Sequence, residues 1–143
     1  MKGLSKRAFY VLSWTWGLPL TLIGAIAIAV LKRSGKEVKK WGYCYYVEVG
    51  RRWGGFNLGM FFLTNEKSTY STRCHEFGHG IQNCYLGWLT PFVVTIPSAL
   101  RYWTRRIGER LGHKFTTSYY DIWFEKQASE LGKYYIERDE NGT

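Results

Sequence analysis

The longest apolar run comes first. AFYVLSWTWGLPLTLIGAIAIAVL, from Ala8 to Leu31, holds no charged residue. At about 1.5 Å per residue it can cross a bilayer core of about 30 Å, with Trp14 and Trp16 near one interface and Lys32 and Arg33 at the other. The pattern therefore predicts an N-terminal transmembrane helix, residues 1–31, in which Pro19 is tolerable. Ala25-Ile26-Ala27 and Ala27-Ile28-Ala29 also have the small-x-small form of a signal cleavage site, so a removed signal is the competing reading, although the run is long for one.

Five of the nine residues from Lys32 to Lys40 are basic, and Ser34-Gly35 interrupts a helix there. Residues 32–40 read as a basic juxtamembrane linker able to rest on anionic headgroups. They outnumber the basic residues before the run, which tilts the bulk of a single-pass chain toward the cytoplasmic side. Residues 43–64 then read as a β-hairpin: YCYYVEV and FNLGMFFLT are rich in strand formers, and GRRWGG separates them. Gly59 within the second strand implies a bulge or a close backbone approach.

After Ser68, Ser71 and Thr72, which offer N-caps, the pattern turns helical. At about 100° per residue His75, His79 and Gln82 share one side and Phe77, Ile81 and Cys84 the other. Gly78 and Gly80 each cost such a helix about 1 kcal/mol relative to Ala, which makes sense if another backbone or a ligand comes close. Tyr85 to Leu100 is uncharged but short for a span and interrupted by Pro91 and Pro97, so it is expected to be an apolar loop on the core or at an interface. From Ser98 a helix carries Leu100, Trp103, Ile107 and Leu111 as a stripe, with Arg101, Arg105, Arg106 and Arg110 elsewhere. That pattern suits a membrane surface, and equally a core helix with a solvated basic face. A last helix, Tyr119 to Leu131, is opened by a Ser118–Asp121 capping box and has Phe124, Ala128, Leu131 and Tyr135 as its apolar stripe. Residues 137–143 read as a disordered tail.

The expected architecture is α+β in one domain, residues 41–136, which the length of 143 residues and the hydrophobic share of 45% support. The net charge of +9 favours an anionic partner. The apolar run points to an anionic lipid surface, and the arginines fit no nucleic-acid motif, so no nucleic acid is expected. Three cysteines, Cys44, Cys74 and Cys84, are too few for a disulfide framework and read as buried or free thiols.

The chemistry lies in His75-Glu76-Phe77-Gly78-His79, an HExxH sequence. Histidines at i and i+4 converge on one point, two imidazoles bind one Zn²⁺, and the glutamate works as base on the zinc-bound water. A catalytic zinc needs a third protein ligand. The metzincin extension requires Gly at 82 and His at 85, where this chain has Gln82 and Tyr85. His113, Glu109, Asp121 and Glu125 remain as candidates.

FEKQASELG, with Glu125, Ala128 and Ser129, resembles the Glu-x-x-Ala-Asp motif of gluzincin metallopeptidases, notably the HtpX-like and CAAX-prenyl-protease-like membrane enzymes. A looser likeness, to small bacterial and phage HExxH proteins, covers residues 53–132. The resemblance implies a minimal zinc metallopeptidase with His75, His79 and Glu125 as metal ligands and Glu76 as catalytic base, hydrolysing a peptide or protein substrate. Ser129 departs from the pattern, where the family's Asp orients a metal-bound imidazole; Ser129 or Asp121 would take that part. In such a fold residues 56–64 form an edge strand on which an extended peptide aligns, and Tyr119, Tyr120 or His113 would stabilise the oxyanion. The alternative reading is a non-catalytic membrane-associated protein whose metal or histidines serve structure or partner binding.

Overall fold

A computed structural model describes residues 2–51, 55–114 and 122–141. Among these residues the architecture is mixed α+β, with five α-helices and a four-stranded sheet.

The apolar N-terminal run is two helices rather than one. α1 (Lys6–Ser13) and α2 (Leu18–Arg33) are bent by 91° across residues 14–17. Pro19 stands in the first turn of α2, where its missing N–H costs nothing, while its ring would disrupt a helix continuing from α1. The bend is held from outside: Asn83 Nδ2 donates to the Gly17 carbonyl at 3.2 Å, and Trp16 Nε1 donates to the Tyr85 carbonyl at 3.1 Å. The expected single transmembrane helix over residues 1–31 is therefore corrected, since no single helix among the described residues is long and apolar enough to cross a membrane.

The basic linker is also structured: Lys32 and Arg33 close α2, and Lys39–Trp41 forms β1. β2 (Cys44–Glu48), β3 (Gly55–Leu58) and β4 (Phe61–Thr64) complete a sheet of order β1-β2-β4-β3. The expected two-stranded hairpin over 43–64 is replaced by a different pairing. Its second strand folds on itself at Gly59-Met60, β3 and β4 run antiparallel, and β4 lies parallel to β2 with Tyr46 opposite Phe62. Those two rings stack at 4.8 Å. Gly59, at φ +68°, makes the turn and meets α2 closely enough that a Cβ would sit 2.8 Å from the Thr21 nitrogen.

α3 (Tyr70–Leu86) is capped by Thr69, whose hydroxyl accepts from the Thr72 amide at 3.2 Å; Ser71 and Thr72 lie inside the helix. The apolar stretch expected as a loop is helical. A 3₁₀ turn (Gly87–Leu89) and a π-helical turn (Pro91–Thr95) lead into α4 (Ile96–Arg110). Pro91 and Pro97 each fall in the opening turn of a helical segment, where proline breaks nothing. α5 (Trp123–Asn141) continues past 137, so the expected tail is helical as far as Asn141. The Ser118–Asp121 capping box lies outside the described residues.

α3 and α5 form the centre of the molecule. A Cβ at Gly78 would collide with the Ala128 backbone, and one at Gly132 with the Cys74 carbonyl, so the helices touch backbone to backbone at two places. Around that seam Phe9, Tyr43, Phe77 and Tyr135 pack as edge-on or tilted ring pairs with centroids 5.4 to 6.1 Å apart. The Tyr135 hydroxyl accepts from the Leu4 amide at 2.9 Å and so ties the N-terminal segment to α5. All three cysteines are buried free thiols.

Candidate metal centre

One turn of α3 separates His75 from His79, and both imidazoles are buried against α5. Their Nε2 atoms lie 3.1 Å apart. Glu125, in the first turn of α5 and wholly buried, brings its Oε2 to 2.8 Å from His75 Nε2 and 3.4 Å from His79 Nε2. Three atoms at the corners of a tetrahedron with bonds of about 2.1 Å are roughly 3.4 Å apart, so this spacing is slightly tighter than that of a filled zinc site. Two nitrogens and one carboxylate oxygen are also a donor set that zinc accepts with a fourth position left open.

The surroundings of Glu125 agree. Neither of its oxygens receives a well-aligned hydrogen bond, although the side chain has no exposure to water. A buried carboxylate left in that condition is costly unless a cation faces it. Burial pushes its pKa up, but the adjacent imidazoles of His75 and His79, with Ser98, outweigh this and hold it well below the usual carboxylate range.

The other ring nitrogens are oriented from α5 and from α3 itself. His75 Nδ1 lies 2.8 Å from Ser129 Oγ, and His79 Nδ1 lies 2.8 Å from Gln82 Oε1. With Nδ1 as the N–H in both rings, each Nε2 would carry the lone pair and could ligate a cation shared with the Glu125 oxygen. Gln82 is itself tied to α5, donating from Nε2 to the Phe124 carbonyl at 2.8 Å and to Gln127 Oε1 at 3.0 Å.

Glu76 points toward β3. A Cβ on Gly55 would come within 2.9 Å of its Oε1, so only glycine there lets the carboxylate lie against the strand. Burial raises the Glu76 pKa, the two imidazoles pull it down and Glu125 pushes it up, for a net rise. The direction suits a base that must also release its proton. Asn57 fixes the strand to the helix: its Nδ2 donates to the Glu76 carbonyl at 2.9 Å and to the Gly59 carbonyl at 3.1 Å, while its Oδ1 accepts from the Gly59 amide at 2.9 Å.

His75, Glu76 and His79 open into a cavity of about 1080 Å³ bounded by β3 on one side and α4 on the other. Along the sheet β3 is an edge strand, and it carries Gly55, Phe56 and Asn57 into the cavity wall.

Among the described residues, the sequence-derived ligands His75, His79 and Glu125 come together as one group whose ligand atoms all lie within 4.8 Å of one another. Glu109 is in the cavity wall on α4, and His113 is exposed just beyond that helix. Asp121, Tyr119 and Tyr120 lie outside the described residues. Ser129 stands where the orienting acid was expected. Sequence reasoning assigned no part to Asn57 or Gln127. Asn57 had one sign, a polar residue two before a glycine in a strand of apolar residues; Gln127 had none. Comparison with family models, curated proteins and solved structures finds no match for this chain.

Proposed function

We propose that the chain is a zinc-dependent metallopeptidase that hydrolyses peptide bonds with His75, His79 and Glu125 as ligands and Glu76 as base. The observation that carries the reading is the approach of the buried Glu125 oxygen to 2.8 and 3.4 Å from the two imidazole nitrogens, from a helix that begins 37 residues after α3 ends. Zinc held there would supply a Lewis acid that lowers the pKa of water from about 16 to about 7.

The chain's own residues do the rest. Ser129 and Gln82 accept the Nδ1–H of His75 and His79 and keep both rings in the ligating tautomer. Glu76 accepts a proton from the attacking water at its carboxylate and returns it to the leaving amine as the carbon–nitrogen bond breaks. Asn57 ties the Glu76 backbone carbonyl to β3 and Gly55 leaves room for the carboxylate there, and β3, an edge strand among the described residues, aligns an extended peptide along the cavity.

The test is metal content and turnover measured together. Wild type is expected to copurify with about one zinc per chain and to cleave a fluorogenic peptide mixture. Glu125→Ala should lose the metal. Glu76→Gln should keep it while turnover falls by about 10²- to 10⁴-fold. A Glu76→Gln protein that retains both zinc and hydrolysis removes the glutamate from its role. Zinc bound tightly by a wild type that cleaves nothing leaves a structural metal site.

A further inference from the structure

Hydrolysis by a metal-bound water and Glu76 calls for no arginine, yet Arg105, Arg106 and Arg110 line the same cavity as His75, Glu76 and His79. They belong to the polar side of α4. At about 100° per residue they share a face about 140° wide with Ser98, Tyr102 and Glu109, and all six line the cavity. Among the described lining residues only Glu76, the base, and Glu109, which is exposed to water, carry the opposite charge.

Arg105 and Arg106 are half-buried, where their charge is less screened than on an open surface. Arg106 Nη1 donates to Tyr102 Oη at 2.7 Å, and its guanidinium carbon lies 5.8 Å from the centroid of the tyrosine ring. A hydroxyl and a ring hold a guanidinium in place without the opposite charge of a carboxylate. Distance along the helix sets what the arginines can reach. Ser98, at the start of the face, lies beside Glu125. Arg105 and Arg106 follow it by seven and eight residues, about 10 to 12 Å of helix, which is the length of about three residues of extended peptide.

We propose that α4 sets the substrate class of the site: Arg105 and Arg106, with the exposed Arg110 beyond them, select peptides that carry a carboxylate about three residues from the cleaved bond. The planar fork of a guanidinium matches a carboxylate with two parallel hydrogen bonds, whether that group is an Asp or Glu side chain or a free C-terminus. The net charge of +9 draws such peptides from a distance. The cleaved bond belongs to the peptidase reading, on which this assignment rests; the charge preference is a property of the cavity and is read by binding alone.

The test is fluorescence anisotropy with zinc-loaded Glu76→Gln protein and four labelled peptides of one length and one apolar centre. One is neutral and amidated, one carries glutamates and is amidated, one is neutral with a free C-terminus, and one carries lysines and is amidated. At least one of the two carboxylate peptides should bind tenfold or more tightly than the neutral one, and less so in high salt, with the lysine peptide weakest. Which of the two binds tells side chain from C-terminus. Arg106→Gln, and separately Arg105→Gln, should bring the preferred peptide to within about threefold of the neutral one. Arg106→Glu should turn the preference toward the lysine peptide, which a merely structural arginine would not do. Lys36→Gln removes the same charge at an exposed position outside the cavity and should keep the preference. The proposal is overturned if the neutral peptide binds as tightly as both carboxylate peptides, or if Lys36→Gln erases the preference as fully as Arg106→Gln does. Turnover by wild type is read separately: charge selection without cleavage removes the peptidase and leaves an acidic-peptide site, whereas cleavage without charge selection removes this proposal and leaves the peptidase.

Discussion

α3 with α5 and α4 alone are made of similar material, helices with apolar positions at three- and four-residue spacing, yet they sit in opposite ways. The α3–α5 seam brings two backbones into contact at Gly78 and Gly132 and surrounds His75, His79 and Glu125 with protein. α4 touches the rest of the chain mainly through the turn before it, and its largest apolar side chains face outward. The difference shows that an apolar stripe specifies a helix and a preferred face, but not the medium that face meets. It also shows where polar groups can be placed to a fraction of an ångström: between two backbones that cannot move, not on a helix that rests on one edge.

Four perturbations bear on that contrast. The largest effect is expected from Gly78→Ala, because the added methyl runs into the Ala128 backbone rather than into a flexible side chain. A loss of about 3 kcal/mol or more, read from chemical denaturation, is the expected outcome. A loss below about 1 kcal/mol would mean that the seam is loose.

Next is Glu125→Gln, which keeps shape and removes the negative charge. Zinc affinity, measured by competition with a chromophoric chelator, should fall by more than about 100-fold, since a ligand matters at least as much as the groups behind it. Chelator should also lower the melting temperature of zinc-loaded wild type, and should leave that of Glu125→Gln unmoved, because binding to the folded state alone stabilises it.

Ser129→Ala should be milder, a drop of about 10- to 100-fold in zinc affinity with the three ligands intact. Ser129→Asp should restore or exceed the wild-type value. Unchanged affinity in Ser129→Ala would remove the serine from its orienting part.

The smallest effect belongs to α4. Leu100→Ala should change stability by no more than about 0.5 kcal/mol, as surface substitutions do, and leave zinc binding where it was. A loss of 2 kcal/mol or more would show that the stripe is covered within the chain and would end the contrast with α3.

What was legible in the chain follows the range of the interactions. The shared face of His75, His79 and Gln82 is a property of eight consecutive residues, so helical geometry alone reveals it, and the glycines at 78 and 80 announced a close approach. Ala128 and Gly59 turned out to be what approaches. Glu125 was one of four candidates for a third ligand, and the resemblance was what singled it out. β2, β3 and β4 lie in segments legible as strand while β1 was read as linker, and parallel and antiparallel neighbours use the same alternation of residues, so the pairing of β2 with β4 was not legible. The N-terminal run was misread as one helix because hydropathy is blind to direction, and the right-angle bend depends on Asn83 and Tyr85 some 65 residues later.

By itself, then, the amino-acid sequence determined the helix that carries the HExxH residues, the convergence of its two imidazoles and the glutamate between them, for these depend on contacts within one or two turns of chain. Tertiary structure decided the approach of Glu125 to the two imidazoles, the serine behind His75, the glycine that receives Glu76 and the outward face of α4. Those depend on which distant backbones come within a few ångströms of one another, and that is set by packing rather than by any local pattern.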